Sequence, residues 1–334
     1  MSSNLNKRYV IAYILLAFVL CVGLMTPIDY VLFMPGKAYS LGEMITVPEG
    51  HSSDGSFLMT VVMSRQATIP LYIRGVLDPS IDLFPLAEVR PTFSDGREYE
   101  QVMLQSMLSS QEIASGLALR LCGYEVSENG DGVQIVSFSE INNAEGILAL
   151  GDIIIACDGK TVHVNAELGE ILRRKEPGET AKITVMRGES KEELDFDIEL
   201  VRRIDDPAIA AIGISVVNAG WHLDLPVEII VSSEDIGGSS AGLMMTLEII
   251  NQLSVEELTH GKKIAGTGTI DLSGRVGIVS GVRQKVMGAV ASEAAYFLVP
   301  LANFQEAYDQ ADGKMTVVAI DNIEDALAFL GGLR

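Results

Sequence analysis

The chain has 334 residues, room for two domains, with 48% apolar residues and a formal net charge of −21 at pH 7. That charge argues against nucleic acid as a partner, because phosphate binding needs clustered Lys and Arg, and it disfavours docking of a soluble face on anionic lipid. Three cysteines set no disulfide framework, although Cys122 and Cys157 could pair in an oxidising compartment or stay as two buried thiols. The four histidines (His51, His163, His222, His260) show neither ligand spacing nor an HExxH helix, and no GxxxxGK[ST] occurs. Neither a metal site nor a nucleotide or other cofactor is expected.

Lys7 and Arg8 precede residues 9–25, an uncharged apolar stretch of about the minimum spanning length of ~17 residues. No A-x-A follows; Thr26, Pro27 and the apolar residues 30–33 come instead. The pattern predicts a transmembrane signal anchor over 9–33, with residues 1–8 cytoplasmic and the rest of the chain outside the cytoplasmic membrane. A cleaved signal peptide and a buried core helix are the alternatives. Strand-like runs at 44–47 and 57–63 flank turn-rich residues 49–56 and predict a hairpin. Residues 98–121 then carry Val102, Met103, Met107, Leu108, Ile113, Leu117 and Leu119 at amphipathic helical spacing. Residues 38–120 are read as the first part of one domain.

Residues 121–204 read as a small β-rich module. Gly151-Asp152 leads into a buried strand, Asp158-Gly159 supplies a hairpin turn, and Glu176-Pro177-Gly178 ends a short helix over 165–174. With the runs at 132–138, 181–187 and 194–201, this order resembles a bacterial PDZ domain. The resemblance implies a groove that takes an extended peptide as an added strand and captures its terminal carboxylate. Leu121-Cys122-Gly123-Tyr124 resembles the carboxylate loop of that family, the alternative being a plain strand-initiating glycine. Asp205-Asp206-Pro207 marks the exit from the module.

Residues 205–334 resume the first domain. Residues 212–217 and 227–231 are strand-like. Leu243, Met244, Leu247, Ile250 and Leu253 then recur at helical spacing, which predicts a helix from Ser239 or Ser240. Gly237 and Gly238 permit a tight turn before it. A serine at that place serves either as an N-cap or as a nucleophile facing the free N–H groups of the turn. A hairpin follows over 267–277 and a helix over 281–290. Strands at 296–300 and 315–320 and a closing helix at 324–330 complete an α/β layer.

The blocks around Ser240, Thr267 and Lys285, in that order and with serine and lysine 45 residues apart, resemble the proteolytic domain of the Lon family. The resemblance implies an α/β (α+β) Lon proteolytic-domain fold with the PDZ-like module inserted. It makes Ser240 the nucleophile and Lys285 the base of a Ser–Lys pair. Thr267 bonds one of the two, and the N–H groups around Gly237, Gly238 and Ser239 meet the oxyanion. The chain departs from the family pattern at Ser239, where a proline is usual and a rival nucleophile results, at Gly237, where an acidic residue is usual, and at Ser280, where a glycine is. A base that works near pH 7 requires the lysine to titrate near 7–8, about 3 units below its free value, and burial among Val282, Val286, Met287 and Ala289 would do this. Arg283 should then face away. The expected activity is ATP-independent serine endopeptidase cleavage of flexible, unfolded or groove-presented proteins, and the resemblance implies that the chain itself forms a homo-oligomer. A catalytically inert, membrane-tethered peptide-binding or scaffold protein is the alternative.

Overall fold

The computed structural model describes residue 13 and residues 23–90, 96–188, 190–203, 206–233 and 236–333. Along the chain, its first elements are β1 (Pro27–Ser40), β2 (Ser56–Thr68), α1 (Ile69–Leu77), β3 (Asp82–Pro85) and α2 (Gly96–Leu121). Next come β4 (Gly132–Phe138), β5 (Ile153–Cys157), α3 (Asn165–Leu172), β6 (Thr180–Arg187), β7 (Glu192–Glu199) and β8 (Ile214–Ala219). The last stretch holds α4 (Gly242–Leu253), β9 (Lys263–Gly266), α5 (Val282–Ala291), β10 (Tyr296–Pro300), α6 (Phe304–Ala311), β11 (Thr316–Ile320) and α7 (Ile323–Gly331). These elements fall into two units, one of residues up to 124 together with 227–334, the other of 125–226.

The first unit is built on a six-stranded sheet in the order β11-β10-β9-β2-β1-β3. Pairing is parallel from β2 through β9 and β10 to β11, and antiparallel where β1 meets β2 and β3. Parallel strands need both faces covered, and successive residues here point to two separate cores. Phe57, Met59, Ile264 and Leu298 pack with Met107 of α2, Leu243 and Leu247 of α4 and Ile323 of α7. Leu58, Ala265, Phe297 and Val299 pack on the other face with Val282, Val286 and Ala289 of α5 and Ala307 of α6. Helix α5 lies close on β1: a Cβ on Gly288 would stand 2.8 Å from the Gly36 carbonyl, so only glycine lets the backbones approach this far.

Two expectations change in this unit. The hairpin partner of β2 is β1 and not residues 44–47, of which Ile45–Thr46 pairs with Ile230–Val231 instead. Residues 227–231, expected as a strand, thus contribute only that two-residue bridge. Within the apolar span expected at 9–33, residues 27–33 belong to β1. Val31 and Leu32, adjacent in sequence, are both fully buried because β1 is paired on both edges and covered on both faces. Apart from Tyr13 and residues 23–25, the stretch 9–25 lies outside the described residues. Among the described residues no helix is long and apolar enough to cross a membrane.

The second unit is a six-stranded antiparallel sheet with the main path β7-β6-β5-β4-β8 and the short Lys160–Thr161 strand on β5. Its core joins Val133, Ile135, Ile154, Ile183, Val185 and Ile198 with Leu168 and Leu172 of α3. The unit runs to Pro226 and does not stop at 204, because β8 pairs with β4 from Ile214↔Phe138 to Ala219↔Gly132. Residues 214–219, assigned from sequence to the proteolytic domain, complete this sheet. Asp152, at the start of β5, is buried, and the Arg187 guanidinium donates to both of its oxygens at 2.7 and 2.6 Å. Burial alone would raise the Asp152 carboxyl; Arg187 and the Ala149 amide more than offset this and hold it below the usual carboxylate range. Cys122 and Cys157 are free thiols, and burial pushes Cys157 up to about 11.

Candidate active site

The turn before α4 is held from two sides. Gly238 N–H donates to the Met103 carbonyl of α2 at 2.7 Å, and Ser110 Oγ of the same helix donates to the Ser239 carbonyl at 3.2 Å. A Cβ on Gly237 would stand 2.8 Å from Met103 Cβ, which explains the glycine at this crossing. The Ser240 carbonyl accepts from Gly268 N–H at 2.8 Å and from Thr267 Oγ1 at 2.9 Å. The helix starts at Gly242, with Ala241 as its N-cap and no side-chain cap, so Ser240 stands ahead of it and does not cap it.

Ser240 arrives from the α4 face of the sheet and Lys285 from the α5 face. They meet at the carboxyl end of β9, immediately followed by Thr267; ends of this kind are where open α/β sheets form their crevices. Lys285 Nζ lies 2.6 Å from Ser240 Oγ and 2.8 Å from Thr267 Oγ1. Thr267 therefore bonds both the lysine and the serine backbone. Lys285 is 4% exposed and Thr267 1%. Burial brings the Lys285 amine down to about 7, since a charged ammonium in this apolar surround has lost its water without gaining an anion. Arg283 points away, as expected: it pairs with Asp82 and donates to the Pro79 carbonyl at 3.0 Å. Ser239 Oγ makes no hydrogen bond among the described residues.

A hydroxyl at 2.6 Å from an amine that titrates near 7 can give up its proton when attacking a carbonyl. The Gly238 amide, expected among the oxyanion donors, is occupied by Met103. The amides of Ser239 and Ser240, in the same turn, donate to no acceptor among the described residues.

The second unit has a groove of about 380 Å³ between α3 and β8. Leu168, Leu172 and Arg173 line one wall, Ile212, Gly213, Ile214 and Val216 the other, and Arg202 and Arg203 one end. Strand β8 is the end of its sheet, so one edge is open to an added strand. Gly213 has φ +81°, a conformation that favours glycine, and Ile212-Gly213-Ile214 has the Φ-Gly-Φ form expected of a carboxylate loop. Leu121-Cys122-Gly123-Tyr124 is not that loop. Gly123, at φ +87°, ends α2: its N–H bonds the Arg120 carbonyl, Tyr124 N–H bonds that of Leu119, and Cys122 N–H bonds that of Ala118. With all three amides used, nothing is left to hold a carboxylate. Sequence reading missed Ile212–Ile214 as a loop by taking it into one strand; the glycine within the apolar run was the available signal.

Residues 221–330 match the Lon protease (S16) C-terminal proteolytic domain. This match supports a serine peptidase. Residues 121–200 match the PDZ domain, which supports peptide or protein binding. Similar proteins are Lon protease 2 of Herpetosiphon aurantiacus, 26% identical over 190 residues (56% of this chain, 20% of that protein), and Lon protease of Campylobacter concisus, 26% identical over 186 residues (53% and 22%). The chain thus spans about a fifth of the length of these curated relatives. Among solved structures, the PDZ domain of the SdrC-like protein from Listeria monocytogenes is 28% identical, covering 26% of this chain and 88% of that one, with a TM-score of 0.24.

Proposed function

We propose that this chain is a membrane-anchored serine peptidase, working without ATP, that cleaves unfolded or groove-presented proteins outside the cytoplasmic membrane. The observation that carries the reading is the buried Ser240–Lys285 contact at 2.6 Å. Ser240 Oγ attacks the scissile carbonyl while neutral Lys285 takes its proton, and the Ser239 and Ser240 amides receive the oxyanion. Lys285 returns the proton to the leaving amine, and an ester on Ser240 remains. Water then attacks that ester with Lys285 again as base, releasing the acid product. Thr267 keeps the lysine aimed by bonding it and the Ser240 carbonyl together. The uncharged run at 9–25 supports the anchor.

Casein hydrolysis by the full chain tests the reading. Ser240→Ala should lower the rate by about 10³-fold or more with the fold unchanged, whereas Ser239→Ala should retain most of it. An inactive wild type would favour the inert tethered binder, a reading that the unusual Ser239 and Gly237 keep in play.

The groove of the second unit is assigned to C-terminal tails, with the Ile212–Ile214 loop at the carboxylate and α3 beside an apolar last residue. Amidating such a tail should weaken binding about tenfold or more, the loss of a charge-assisted hydrogen bond. Fluorescence anisotropy with free-acid and amidated peptides measures this, and equal affinities would remove the carboxylate from the account.

A further inference from the structure

Helix α1 sets its apolar side against solvent as well as against the sheet. Leu71 and Tyr72 pack with Leu32 and Leu83, and a Cβ on Gly75 would meet Leu83. The opposite side consists of Ile69, Ile73, Val76 and Leu77, exposed at 41, 54, 64 and 76%. At 100° per residue these four fall within an arc of about 100°, so they form one continuous stripe with Arg74 at its border. A stripe of this kind on a folded unit marks an interaction surface.

The position of α1 in the fold indicates what covers the stripe. Pro27 pairs with Thr68, so the helix begins at the end of the hairpin where β1 receives the chain from the uncharged run at 9–25. Leu24 and Met25, just before β1, are themselves exposed apolar residues. The apolar run and the apolar stripe therefore leave the unit at the same end. We propose that α1 is an interfacial helix: its stripe of Ile69, Ile73, Val76 and Leu77 sits in the headgroup–acyl boundary of a lipid bilayer, with Arg74 toward the headgroups. This rests on the anchor in the proposed function. Apolar burial drives the contact, and a chain of net charge −21 gains nothing from anionic lipid, so a zwitterionic bilayer suffices and salt matters little.

The test uses the full chain in phosphatidylcholine vesicles with acyl chains brominated near the headgroup for the reading at 77 and near the chain end for the reading at 18, which lies midway along the run 9–25. On a Trp221→Phe background, Leu77→Trp reports the helix and Phe18→Trp reports the anchor. The expected result is blue-shifted emission at both positions and quenching at 77 of about twofold, lost when Val76→Asp is added. Quenching at 18 without quenching at 77 would overturn the interfacial helix and leave the anchor standing. Quenching at neither would overturn the anchor and the helix with it. A blue shift at 77 without quenching, in particles holding two chains, would assign the stripe to a second copy and overturn the proposal.

Discussion

Lys285→Met is expected to abolish peptide-bond hydrolysis and, at the same time, to make the folded chain more stable at neutral and acidic pH. The amine titrates at its ordinary value of 10.5 when the chain is unfolded and at about 7 when it is folded. Between these values the unfolded chain holds a proton that the folded chain has released. Wild-type stability therefore rises with pH across that window and is lowest at and below pH 7. A shift of this size corresponds to a burden on the order of 4 kcal/mol at pH 7. Methionine fills a similar volume among Val282, Val286 and Ala289 without any charge to desolvate, so it removes the burden together with the base. Denaturant midpoints of wild type and variant should differ most near pH 6 and converge toward pH 10.5. A variant less stable than wild type at pH 6 would mean that the amine is favourably solvated where it stands.

Arg187→Met should do the opposite in the second unit. It strips Asp152 of the guanidinium that donates to both oxygens, leaving a buried carboxylate with only the Ala149 amide. Asp152 is buried but the Arg187 side chain is 34% exposed, so removing the guanidinium should destabilise the unit by about 1–3 kcal/mol. The Asp152 carboxyl, held low in the folded wild type, contributes stability that is complete above its ordinary range and is lost as the pH falls through its folded value. The variant should lose this acid limb. Tail binding should weaken, while casein cleavage by the Ser240 unit persists. Unchanged thermal stability would show that the pair is an exposed contact of little weight.

Much of the candidate site was legible because its signals are local. A glycine turn before a helical periodicity, a Thr-Gly strand end and a lysine flanked by apolar residues each occupy a few adjacent positions. What could not be read was which strands pair across long separations. Residues 30–33 are apolar on both faces, which fits a bilayer as well as it fits a strand paired on both sides, and only the register with β2 and β3 decides. Two runs have the Φ-Gly-Φ form, and the sequence reading took only the first, at 121–124, as the carboxylate loop. The first follows a 26-residue helix with Arg120 in its last turn, so its glycine is spent as a helix terminator. The second became part of the PDZ-like sheet through β8, whose partner β4 lies about eighty residues earlier, beyond the reach of any pattern of neighbours. The polar Asp205-Asp206-Pro207 stretch gave a plausible but wrong exit.

The account rests on a serine activated by an uncharged lysine. Labelling of the full chain with a fluorophosphonate across pH 5 to 9, with the modified residue located by mass spectrometry, tests this directly. The account predicts modification at Ser240, a rate that rises with a midpoint at about 7, and loss of labelling in Lys285→Ala. Labelling at Ser239, or Ser240 labelling that is indifferent both to pH and to the loss of Lys285, would contradict it.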